Sequence, residues 1–164
     1  MSRTLIFMRH AKQSGLAASD HERPLTPEGR DAALRVGESL RAESIVPAFV
    51  LSSTALRCRQ TWDAVSAGLG ASVEASFEAS LYNAAPTDLA DAIAGVDPDH
   101  ETLLVLAHNP GISLFALELA AAVEQDVDAL RSGFTPATTA RFRVDGPWSE
   151  LSARTARLER FDVA

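Results

Sequence analysis

Two rhythms of apolar residues alternate along this chain. Short β-branched and apolar runs at positions 4–8, 48–51, 73–75, 102–107, 140–144 and 157–163 have the length and composition of strands. The longer stretches between them repeat with helical period. In the best marked of these, Thr26 is placed to cap, Pro27 suits the first helical position and Glu28 favours the positive end, while Ala32, Val36 and Leu40 recur four residues apart as far as about Glu43. A second helix is predicted from about Thr54 to Gly68 or Gly70, a short one after Pro86, and another from Gly111 to Val123. The alternation predicts an α/β fold: a three-layer sandwich with a mostly parallel central sheet and helices on both faces. With no internal repeat, low-complexity tract or linker, residues 1–164 are expected to form one domain.

Composition narrows the function. Of 164 residues, 46% are hydrophobic and 23% charged, as in an ordinary globular domain. The net charge of −7 comes with basic residues that are scattered, so no nucleic-acid partner is expected. The longest apolar stretch, residues 112–123, is far short of the roughly 20 residues that a membrane helix needs and carries Glu118, so no membrane association is expected either. A single cysteine, Cys58, and an N-terminus that enters the first strand without a leader point to the cytoplasm. Oligomeric state is not readable from the sequence.

Open α/β sheets hold ligands at the carboxyl ends of their strands, and three such ends carry chemistry. The first gives Arg9-His10, the second leads through Ser52-Ser53 to Arg57, and the fourth gives His108-Asn109-Pro110-Gly111. Guanidinium forks match phosphate oxygens, a helix start adds backbone donors, and a neutral imidazole attacks phosphorus. Each residue also has a structural reading. Arg9 and His10 could be a buried pair bonded to backbone, His108 a turn residue beside a capping Asn109, Arg57 a solvated partner of Asp63, and Arg23 a brace between loop and helix. His21 and His100 read as surface residues, Arg59 as a solvated helix arginine, and Cys58 as a partly buried helix cysteine, with a lowered pKa between two arginines as the alternative. Asp97-Pro98-Asp99 reads as a turn. No Gly-x-Ser-x-Gly elbow, phosphate-binding Gly-x4-Gly-Lys loop or zinc-spaced His/Cys set is present.

Taken together, residues 5–11, ending in Arg9-His10-Ala11, residues 23–29, residues 52–61 and residues 107–110 resemble, in order, the motifs of the histidine phosphatase superfamily, and among its members the short SixA-type phosphohistidine phosphatases. The resemblance implies a metal-free, cofactor-free phosphatase in which His10 takes the phosphoryl group, Arg9, Arg57 and His108 bind and polarise it, and Arg23 and Asn109 complete the phosphate-binding set. Two departures stand out. Ala11 replaces the usual glycine, adding a methyl group. Asn83, in Leu81-Tyr82-Asn83, replaces a glutamate that in relatives with ester substrates protonates the leaving oxygen, and Asp20, Glu22 and Glu78 are the other acids available. A phosphohistidine donor can release its imidazole neutral, so the departure favours phosphohistidine on a signalling or phosphotransfer protein as the substrate. A small phosphorylated metabolite and a non-catalytic phosphate-binding module are the alternatives; intramolecular mutase chemistry is disfavoured by the short chain and the missing acid.

Overall fold

A computed structural model describes residues 1–121 and 127–164. Along the chain run β1 (Ser2–Arg9), α1 (Pro27–Ala42), β2 (Phe49–Ser53), α2 (Leu56–Leu69), β3 (Ala75–Glu78), α3 (Pro86–Ala94), β4 (Thr102–Ala107), α4 (Gly111–Ala120), α5 (Asp128–Arg131), β5 (Thr139–Asp145) and β6 (Ala156–Asp162), with single 3₁₀ turns at Ala79–Leu81 and Trp148–Glu150. The expected α/β single domain is observed, and its sheet has six strands in the order β3-β2-β4-β1-β5-β6. Three neighbouring pairs, β3/β2, β2/β4 and β4/β1, are parallel, while β5 and β6 complete one side antiparallel.

The pleat of the sheet sorts β1 between two cores, because successive side chains point to opposite faces. Leu5 and Phe7 join Leu103 and Val105 under Leu89, Ile93, Ile112, Phe115 and Leu119 of α3 and α4. Ile6 and Met8 join Leu104 and Leu106 under Ala33, Leu40, Trp62, Val65 and Leu69 of α1 and α2. A strand covered on both sides reads as an unbroken apolar run, which is why β1 and β4 are so plain in the sequence.

The helix signals act as expected, with adjustments. The Thr26 hydroxyl accepts from Gly29 N at 3.0 Å, and Pro27 opens α1. Of the two candidate stops for α2, Gly70 is the one used: it adopts φ 69°, the left-handed conformation in which a glycine meets no Cβ penalty. Gly68 instead packs. A Cβ there would lie 2.1 Å from the Leu34 carbonyl oxygen, and one at Gly37 2.0 Å from that of Val65, so α1 and α2 cross backbone to backbone. Gly37→Ala is therefore expected to force the helices apart and destabilise the protein by about 3 kcal/mol, seen as a lower urea midpoint with an unchanged slope.

The third strand lies later than expected, at Ala75–Glu78 rather than 73–75, because β2 selects its partner by register, from Val50 opposite Ala75 to Ser53 opposite Glu78. The short α5 has no counterpart in the expected elements. Helix α4 ends at Ala120 with Ala121 as its cap, and residues 122–123 of the expected helix lie outside the described residues. Asp97-Pro98-Asp99 is a turn, closed by Asp99 N donating to Asp97 Oδ1 at 2.9 Å. Among the described residues no helix is long and apolar enough to cross a membrane.

Candidate active site

Parallel pairing of β1 with β4 sets Arg9 opposite Ala107, so His10 and His108 leave adjacent strands at the same level. Their rings lie 5.2 Å apart between centroids at 56°. Arg57, in the first turn of α2 after β2, reaches the same place, and all three side chains are buried. The structure thus gathers Arg9, His10, Arg57 and His108 from three strand ends.

His10 is held in one tautomer. Its Nδ1 lies 2.9 Å from the Ala11 carbonyl oxygen, which can only accept, so Nδ1 carries the proton and Nε2 keeps its lone pair. The backbone at Ala11 is tied to α2: Ala11 N donates to Thr61 Oγ1 at 3.0 Å, and the Thr61 hydroxyl donates to the Arg57 carbonyl at 2.7 Å. Burial, opposed by the Ala11 hydrogen bond and reinforced by the nearby His108, Arg57 and Arg9, holds the His10 imidazolium pKa down at about 3. His108 is lowered to about 4, by burial first and then by Arg57. Arg57 Nη2 lies 3.3 Å from His108 Nδ1 and so donates to it, leaving Nε2–H to donate to Ser53 Oγ at 2.7 Å. Both rings are neutral at ordinary pH.

Two guanidinium groups face this neutral pair incompletely satisfied. Arg9 Nη1 donates to the Phe134 carbonyl at 2.9 Å and Arg57 Nη1 to the Asp20 carbonyl at 2.8 Å, yet the Nε atoms of both are buried without a partner. Buried N–H groups are nearly always paired, and an anion's oxygens would pair these.

Arg23 lies further out. Its Nε donates to the Ser14 carbonyl at 2.9 Å and its Nη1 to Asp20 Oδ1 at 3.2 Å, while Asp20 Oδ2 accepts from Arg57 Nη2 at 3.2 Å and from the Tyr82 hydroxyl at 2.5 Å. The Tyr82 hydrogen bond, then those of the two arginines, outweigh partial burial and hold the Asp20 carboxyl down at about 2. Asp20 is therefore a carboxylate, with no proton to give near neutrality. Of the other acids, Glu22 is exposed and Glu78 lines a separate cleft between β3 and α3. Asn83 is exposed. Asn109 spends its amide on structure: Nδ2 donates to the Phe134 carbonyl at 2.8 Å and Oδ1 accepts from the Ser113 hydroxyl.

Several bland expectations are corrected. His21 is half-buried rather than a surface residue, with Nε2 2.9 Å from Thr54 Oγ1 and its ring 5.0 Å from that of Tyr82. His100 is half-buried too, stacked on Phe49 at 5.0 Å. Arg57 pairs with Asp20, not Asp63, whereas Arg59 is exposed as expected, with its guanidinium 4.2 Å from the Phe77 ring. Cys58 is fully buried, and burial pushes its thiol up to about 12, so it is an inert packing residue. Sequence reasoning missed Tyr82 and the linking role of Asp20. The dense polar run from Asp20 to Arg23 was the available signal.

Burying neutral histidines makes stability depend on pH. Between the unfolded histidine value of about 6.5 and the folded values of about 3 and about 4, the unfolded chain binds protons that the folded chain refuses. Stability then rises with pH across that window and is lost as pH falls through it. Asp20, lowered to about 2, acts in the same direction at still lower pH. The urea midpoint is expected to be lower at pH 4.5 than at pH 7, and the drop to be smaller in His10→Asn.

Parallel strand ends that bring two neutral imidazoles together with incompletely satisfied guanidinium groups define an α/β protein fitted to an oxyanion. The comparisons with known proteins narrow this class. A family model for the histidine phosphatase superfamily (branch 1) matches residues 5–82. An uncharacterized protein of Mycobacterium tuberculosis is 36% identical over 162 residues, covering 95% of this chain and 99% of the relative. A solved structure from Nakamurella multipartitia, whose name assigns it to the SixA phosphohistidine phosphatases, is 34% identical with a TM-score of 0.89, covering 99% of this chain and 96% of that one. A structure of the same name from Agrobacterium tumefaciens is 25% identical with a TM-score of 0.81, covering 99% and 98%. The chain belongs to the histidine phosphatase superfamily and is a phosphatase of that type.

Proposed function

We propose that this protein hydrolyses phosphohistidine on a cytoplasmic signalling or phosphotransfer protein, with His10 as the nucleophile and no metal ion. His10 Nε2 attacks phosphorus in line, the P–N bond of the substrate breaks, and the leaving imidazole keeps the proton on its other ring nitrogen and departs neutral. Water then attacks phospho-His10, releasing phosphate and the starting imidazole. The Ala11 carbonyl holds the Nδ1 proton through both steps, so His10 is also a neutral leaving group in the second. Arg9 and Arg57 supply fixed positive charge to the equatorial oxygens, His108 orients Arg57 by accepting from its Nη2, Arg23 acts through Asp20, and Asn109 braces the Phe134 carbonyl that orients Arg9.

The observation that carries the choice of substrate is the protonation state at the pocket. Asn83 stands where relatives have an acid, and Asp20, beside the arginines, is held ionised at about 2. An ester's alkoxide needs a proton from the protein; an imidazole that carries its own does not. The likeness to proteins named as SixA phosphohistidine phosphatases supports the same substrate. The test compares phosphate release from a phosphohistidine protein, an aryl phosphate and a metabolite panel in the presence of EDTA. The phosphohistidine protein is expected to have the highest kcat/KM, with no loss on chelation. A higher kcat/KM on one metabolite gives the function to a metabolite phosphatase, loss of turnover in EDTA rejects metal independence, and no turnover of anything leaves a phosphate-binding module.

A further inference from the structure

Tyr82 follows the 3₁₀ turn at Ala79–Leu81. Leu81 anchors the turn in the core, and Asn83, at φ 53°, bends the chain away on the other side. The Tyr82 ring is half-buried beside the site and nearly perpendicular to two imidazoles, His108 at 5.5 Å and 82° and His21 at 5.0 Å and 77°. The Arg57 guanidinium carbon lies 5.9 Å from the ring centroid, and the hydroxyl is committed to Asp20 Oδ2 at 2.5 Å. The ring is thus oriented before any substrate arrives. With its hydroxyl spent, the chemistry it can offer a ligand is the aromatic face, made more electron-rich by the carboxylate that takes the hydroxyl's hydrogen bond.

We propose that Tyr82 is a specificity-determining residue that receives the departing imidazole of the substrate against its ring, an inference that rests on the phosphohistidine reading above. In-line displacement puts the leaving group on the side of phosphorus opposite His10 Nε2, which in this proposal is the side of Tyr82, the ring that meets His108 and His21 and is tied to Asp20 beside Arg57. The phosphorylated ring that leaves as neutral imidazole is cationic beforehand, since it carries the phosphoryl group on one nitrogen and a proton on the other. As the P–N bond breaks, its electron pair passes to the ring nitrogen, and phosphorus becomes bonded to His10. A cationic, planar ring is what an aromatic face next to an ionised carboxylate attracts. A leaving group without a ring brings charge alone and gains none of the ring-on-ring contact.

Two small P–N donors separate ring contact from phosphoryl chemistry: phosphoimidazole, which releases a ring, and phosphoramidate, which releases ammonia. The ratio of kcat/KM values for the two is expected to fall about fivefold to tenfold in Tyr82→Leu and Tyr82→Met and to stay within about twofold of wild type in Tyr82→Phe. Because the readout is a ratio within one preparation, partial loss of folded enzyme cancels, and the two ring-less variants guard against failure of either to fold. An unchanged ratio in both overturns the proposal. So does an equal loss on both donors, since Tyr82 would then act only through Arg57, His108 and Asp20, which serve the phosphoryl group common to both. A wild-type enzyme that turns over neither P–N donor, or prefers a phosphomonoester, overturns the phosphohistidine reading itself, whatever the variants do.

Discussion

His10→Ala is expected to lower kcat/KM on every phosphorylated substrate by at least about ten-thousandfold, since removing a covalent nucleophile leaves only the contribution of binding and charge stabilisation. No neighbour can replace it. His108 is the nearest imidazole, but its Nδ1 accepts from Arg57 and its Nε2 faces Ser53, so neither nitrogen has a lone pair free for phosphorus. Cys58 is buried, with its thiol pushed up to about 12. Rapid quenching with radiolabelled substrate checks this directly: the wild type should carry an acid-labile, base-stable label on His10 and the variant none. Label appearing on His108 in either protein would reassign the nucleophile.

The second large effect is expected at Arg57. This side chain holds the Asp20 backbone and carboxylate, donates to His108 Nδ1, and still presents a buried Nε without a partner. A lysine ammonium is a point donor and cannot hold a fork of this kind. Arg57→Lys should therefore lower kcat/KM roughly a hundredfold to a thousandfold, with unchanged circular dichroism. Arg59, two residues along α2, lies over Phe77 and donates to the Thr54 carbonyl, so Arg59→Lys is the control and should change kcat/KM less than about threefold. Comparable losses in both variants would mean that the helix, rather than the Arg57 fork, had been disturbed.

What could be read from the sequence follows from which forces act locally. Strands β1 and β4 announce themselves because both faces are buried, and α1 does so through Thr26, Pro27 and its apolar stripe. Edge strand β3 misled because Ala75–Glu78 is only half-buried and is placed by its pairing with β2. The same holds for the site. Arg9, His10, Arg57 and His108 sit at fixed offsets from strand ends, so pattern and topology suffice to bring them together. Asp20, His21 and Tyr82 meet through loop closure across some sixty residues, as the Tyr82–Asp20 hydrogen bond shows, and the polar run from Asp20 to Arg23 marks the loop without marking its distant partner. Gly68 misled in a similar way: a glycine near a helix end reads as a stop, whereas here it admits the backbone of α1.

The pairing of Arg9 with Ala107 also divides the labour of evolution within this molecule. The 5.2 Å between the His10 and His108 rings is close to the roughly 4.8 Å that separates any two neighbouring strands. The spacing of the two imidazoles is thus inherited from the lattice of the sheet, and is guarded by the same buried Phe7 and Val105 that keep the protein folded. Arg23 and Tyr82 belong to connections that carry no such obligation. Insertions or exchanges there can change which phosphorylated molecule is admitted while the machinery for moving phosphorus stays intact, so new specificities can be grafted at the rim without reinventing the chemistry beneath.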